Sequence, residues 1–190
     1  MAVLGTLLKN KHAGETYLAW NLPALAGPEQ LTLSSAGFEH GGTVPRDHVG
    51  KRVGGANTSP ALSWTGTPAG TAQLLLVIED ADTPTKRPVT HCVALIDPDL
   101  TAVPVGGLNG ETPAAGVRLL RSVLGTGYIG PAPIKGHGPH RYVFQLFALP
   151  IAIAVPAGGA ALDKAKPRAV LDAVTGPVLA RGRLDGLYER

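Results

Sequence analysis

Residues 127–149 read GYIGPAPIKGHGPHRYVFQLFAL. The first half is nearly all turn residues. Gly130, Pro131, Pro133, Gly136, Gly138 and Pro139 exclude a regular helix or a central strand there. From Tyr142 to Leu149 the chain turns aromatic and apolar, the signature of a buried strand. His140, Arg141 and Tyr142 stand at the junction. Strand alternation sends His140 and Tyr142 to one side and Arg141 to the other. One imidazole and one phenol then face the same cavity, and Arg141 braces the loop behind it. Rigid loops of this kind commonly present ligand groups. The same residues also suit an ordinary strand end with satisfied hydrogen bonds.

Outward from this stretch, 190 residues make one domain with room for a real core. Gly 25 and Pro 17 are high, and good helical segments are few. A loop-rich β protein follows. The net charge is +3, with the Lys and Arg residues scattered, so nucleic-acid binding has no support. A single cysteine rules out an intrachain disulfide and a cysteine-based zinc site. Residues 2–8 are apolar but too short for a secretion signal, and no apolar run reaches the ~20 residues of a membrane span. A cytoplasmic protein is expected.

A short amphipathic helix fits residues 1–20, with Leu4, Leu7 and Leu8 on one side and Lys9 and Lys11 at the rim. Residues 1–30 are expected to form an extension that packs on the body, residues 31–190, or on a partner subunit. Strands are expected at 31–34, 59–64 and 74–78, the last buried on both faces. It runs into Glu79, Asp80 and Asp82, three acids in four positions. A solvated turn with Asp80 or Asp82 capping local N–H groups would explain them. In residues 89–96, alternation places His91 and Cys92 on opposite faces, which argues against a Cys-His dyad. Residues 97–127 show little periodicity and read as an irregular cover or interface segment anchored by Leu119 and Leu120. A helix is expected to begin after Pro167, carrying Ala169, Val170, Ala173 and Val174 on one side. The chain closes at 179–188 with a helix end and a short strand.

Three separated segments carry a resemblance. Asn57-Thr58-Ser59-Pro60-Ala61-Leu62-Ser63-Trp64 resembles the Asn-x-Ser-Pro-x-Leu-x-Trp segment of the phosphatidylethanolamine-binding protein family. Asp80-Ala81-Asp82-Thr83-Pro84, followed by His91, is similar to its Asp-Pro-Asp-Ala-Pro motif and the histidine on the next strand. The loop from Gly130 to Tyr142 is similar to its Gly-Pro-x-Pro-Pro-x-Gly loop running into His-Arg-Tyr. The C-terminal residues 179–190 resemble the ending of the bacterial, Raf-kinase-inhibitor-like members. Ala81, Thr83 and Ile134 depart from the pattern, which bears on rim shape and ligand choice.

The resemblance implies an all-β, Greek-key sandwich with a few short peripheral helices. It also implies a small anion pocket lined by Asp80, His91, His140 and Tyr142, with Asp82 and Pro84 shaping one loop and Gly130 and Pro133 the other. Its implied ligands are phosphate, phospholipid headgroups or nucleotide-like anions, and its implied partners include a client kinase or protease. Neither metal nor cofactor is expected. Two imidazoles, a phenol and loop N–H groups make a donor set for an anion. Asp80 fits as the acceptor that fixes a histidine tautomer. An Asp/His hydrolase is the alternative, but it lacks a nucleophile: Ser63 and Ser122 have no nucleophile-elbow context. A metal site from Asp80, His91 and His140 is a third reading. Apolar residues without an obvious core position in residues 1–20 and 97–127 suit a homodimer.

Overall fold

The computed structural model describes residues 2–123, 125–154, 159 and 161–190. Two β-sheets face each other. The small sheet holds β1 (Thr32–Ser34), β3 (Leu62–Thr65) and β6 (Ala102–Val103), in the order β1-β3-β6. The large sheet also uses β2 (Gly42–Thr43), β4 (Gln73–Asp80), β5 (Val89–Ile96), β7 (Val117–Leu120), β8 (His140–Leu149) and β9 (Ala180–Tyr188). Its order is β2-β9-β8-β4-β5-β7, antiparallel except for the short β2–β9 pair. Two short helices, α1 (Ala2–Leu8) and α2 (Pro167–Asp172), lie outside the sheets. This is the all-β sandwich expected.

The central strands explain their own composition. On β4, Leu74, Leu76 and Ile78 face the small sheet and meet Leu62 and Trp64 in one core. Leu75 and Val77 face the other way, onto Ala19, Leu25 and the α2 residues Val170 and Leu171. A strand covered on both faces needs an unbroken apolar run rather than alternation. Each large side chain so buried, such as Phe144 at 1% exposure, contributes about 1.5–3 kcal/mol.

Several expectations need correction. Residues 97–127 are not irregular throughout. They supply β6 and the edge strand β7, and bury Val103, Leu108 and Leu120. Four-residue β7 is too short to show a period in sequence. Residues 180–188 form one nine-residue strand with no helix end, because β8 offers a full ladder of partners, from His140↔Tyr188 to Ala148↔Ala180. Helix α2 is only six residues long, and it buries Val170 and Leu171 while Ala169 is exposed. Helix α1 does not bury Leu4 and Leu7. They are exposed, and the helix sits on the body through Gly5, whose missing Cβ lets it lie on the backbone of Lys135 and His137.

The correction that matters most for function is a β-bulge. Ile78 pairs with Cys92 but Glu79 pairs with Thr90, so His91 is the extra residue. Strict alternation separates His91 from Cys92. One inserted residue resets the phase and puts both on the sandwich side. There Cys92 joins the core with Phe144, and the His91 ring stands edge-on to Tyr142, centroids 5.2 Å apart.

Candidate ligand-binding site

At one end of the large sheet, β4 finishes at Asp80, β5 opens with Val89 and β8 opens with His140. Asp80 is in register with both Val89 and Tyr142. The pairing therefore gathers Asp80, His91, His140 and Tyr142, which are far apart in sequence. All four line a cavity of about 1000 Å³, with Pro84, Gly130 and Pro133 at its walls. Lys51, Arg52 and Lys135 stand exposed around it. Asp82 is the exception among the expected residues, because it lies behind the cavity wall. Its carboxylate accepts from the Arg141 backbone N–H and from Nε, each at 2.9 Å. Arg141 also reaches Glu15 at 2.7 Å. Burial pushes the Asp82 carboxyl up, but the Arg141 hydrogen bonds and charge, with His12, hold it below its ordinary value. Arg141 thus braces the loop from behind.

The walls are set by close backbone packing. Gly130 lies so near His48 and Gly50 that a Cβ would fall 2.2 Å from the His48 carbonyl oxygen. Its N–H donates to the Asn57 side chain at 2.8 Å, so it is not a donor for a ligand. Asn57 takes a left-handed conformation, φ 59°, and ties the 49–58 turn to the 128–131 segment.

Each of the four polar residues has a distinct state. The His91 Nδ1–H donates to the Ile129 carbonyl at 2.6 Å, which leaves Nε2 for the cavity. Burial pushes this imidazole below its ordinary value, against the pull of Asp80 and the Ile129 carbonyl, with His140 adding to the depression. Neutral His91 therefore presents a lone pair there. The Tyr142 hydroxyl is buried and has no well-formed hydrogen bond. Burial, with Asp80 nearby, pushes its ionisation far up, so it remains an O–H donor.

His140 behaves differently from the sequence expectation. Its Nδ1 meets Asp80 at 2.8 Å, and its Nε2 is occupied by His137 Nδ1, also at 2.8 Å. His137 Nε2 in turn reaches the Lys11 carbonyl at 3.1 Å. The carbonyl can only accept. All three bonds form together only when Asp80, His140 and His137 hold one proton more than an ionised carboxylate and two neutral rings. In that state the set carries no net charge, so the Asp80 carboxylate does not repel an anion. Asp80 also caps the Asp82 N–H at 2.9 Å, so the capping role and the pocket role coexist.

Sequence reading missed His137, Asn57 and the basic rim. The signal for His137 was its position three residues before His140, between two glycines that drew attention to the turn instead. Among the described residues, no cluster of three or more His, Cys, Asp or Glu is arranged to hold a metal ion.

The chain is thus a two-sheet sandwich with a His/Asp/Tyr cavity at one end. The phosphatidylethanolamine-binding protein family model matches residues 34–189, and the chain belongs to that family. A ligand-binding or regulatory role, rather than catalysis, comes with membership. The Mycobacterium tuberculosis protein provisionally named lipoprotein LppC is 35% identical over 161 residues, 85% of this chain and 73% of that protein. The UPF0098 protein of Methanothermobacter thermautotrophicus is 34% identical over 166 residues, 84% of this chain and 99% of that one. The solved structure of Escherichia coli YbcL, described as a member of the mammalian PEBP family, superposes with TM-score 0.74 at 27% identity. It covers 85% of this chain and 99% of that one. No helix among the described residues is long and apolar enough to cross a membrane.

Proposed function

We propose that the cavity at the end of the large sheet holds the phosphate-like headgroup of a small anionic ligand. The observation that carries this is the Tyr142 hydroxyl, buried and protonated, close to Asp80 but without a well-formed hydrogen bond, in the same cavity as His91. An orphaned buried donor costs about 1–3 kcal/mol, and an anionic oxygen removes that cost. The hydrogen-bonded Asp80–His140–His137 chain and the basic rim fit the same ligand. The hydrolase alternative fits less well. The Asp80–His140 pair is shaped like a base and its orienter, but the ring nitrogen that would face a substrate is spent on His137. Burial pushes the Cys92 thiol up to about 12, far from a nucleophile's range.

The test is calorimetric titration with O-phosphoethanolamine. Tyr142→Phe should bind about tenfold more weakly, the value of one hydrogen bond to a charged group. No heat at millimolar ligand, or equal affinity in the variant, would refute the assignment.

A further inference from the structure

Thr90 and His91 are neighbours on β5 but face opposite sides of the large sheet. His91 opens on the cavity just described, and Thr90 opens on a second one, of about 470 Å³. Four cationic side chains line this second cavity: Arg87, Arg121, Lys166 and Arg168. Among the described residues, no carboxylate lies within 4 Å of the charged groups of Arg87, Arg121 or Lys166. Arg168 gives NH2 to Glu79 Oε1. Its other terminal nitrogen, NH1, is buried with no hydrogen-bond partner. Glu79 is fully buried and already accepts from the Ala19 N–H at 2.7 Å and the Gln145 amide at 3.1 Å.

The imbalance has a physical consequence. Four like charges around one concavity repel each other, and the single counter-charge sits beneath the floor. Unpaired Lys and Arg on a convex surface are simply solvated. Here they line one recess large enough for a small molecule, the Arg87 guanidinium lying over the Tyr17 ring 5.0 Å from its centroid, and one buried Arg168 N–H lacks an acceptor. Guanidinium forks match phosphate oxygens in pairs. Pro88 and Val123 add an apolar wall.

We propose that this cavity is a second anion site, for a small multiply charged phosphate compound, on the opposite face of the sheet from the headgroup cavity. It does not depend on what the first cavity holds.

The test is amide NMR of the whole chain titrated with inorganic pyrophosphate at constant ionic strength. Signals of Thr90, Arg121, Ser122 and Arg168 should move saturably, with a midpoint near or below about 1 mM. The double variant R121Q/K166Q should lose about tenfold or more in affinity. Both residues are exposed, so the fold should tolerate the change. His91→Gln, which alters the first cavity, should leave the shifts of Arg121, Ser122 and Arg168 intact. Shifts that never saturate, that sodium chloride reproduces at equal ionic strength, or that survive unchanged in the double variant would overturn the proposal.

Discussion

Binding of an anion in the cavity at the end of the large sheet should take up one proton, and His91 should be where it goes. The His91 Nδ1–H is committed to the Ile129 carbonyl, so only Nε2 can titrate toward the cavity. Burial keeps the ring below its ordinary value, near ~6.5 for a free imidazole, so above that pH His91 is neutral in the empty protein. A fully ionised anion cannot bond to a lone pair. It must bring a proton to Nε2, and affinity then falls tenfold for each pH unit of rise, about 1.4 kcal/mol. Between pH ~6.5 and ~8.5 the loss approaches 100-fold. Sulfate is the right probe because it does not itself titrate in this range. Calorimetry in two buffers of different ionisation heat, at constant ionic strength, counts the protons directly. His91→Gln should give a flat profile and no uptake. A flat wild-type profile, or the same slope in His91→Gln, would refute the reasoning.

Other outcomes are equally open to measurement. His137→Phe should weaken sulfate binding about tenfold, because it removes the hydrogen-bond partner that fixes the His140 ring against Asp80. Asp82 has a depressed folded value, so its contribution to stability is full above the unfolded carboxyl value of ~3.9 and is lost as pH falls through the folded one. Asp82→Asn should cost about 2 kcal/mol at neutral pH in urea unfolding and flatten the acid limb of the stability profile. Glu79→Ala should cost about 3–5 kcal/mol, since it strands the Arg168 charge and the Ala19 N–H. A thermal midpoint unchanged from wild type would contradict that. Cys92, with its side chain in the core and its thiol raised to about 12, should label slowly in the native state and rapidly in denaturant.

Much of this protein was legible in one dimension. The apolar run 74–78 showed a strand buried on both faces, because such burial leaves no polar positions, and the 142–149 stretch showed a buried strand despite Gln145. The Gly/Pro loop before His140 showed a rigid turn, because those residues constrain backbone geometry locally. Trp64 and Phe144 were readable as core, and they are 2% and 1% exposed. Strand alternation correctly sent Arg141 away from His140 and Tyr142, to brace the loop against Asp82.

What the sequence left open depended on pairing between distant segments. The bulge at His91 exists only in the register of β5 against β4, and no local rule marks it. The nine-residue run of β9 depends on β8 lying beside it. Asp80 sits 60 positions from His140, and Lys11 sits 126 from His137, yet they form one hydrogen-bonded chain. Local sequence determined the elements and the kinds of side chain at their ends, because backbone preference and burial period act over a few residues. Tertiary structure alone decided which nitrogen of His91 faces the cavity, since a tautomer is set by the acceptor that folding brings to the other side of the ring.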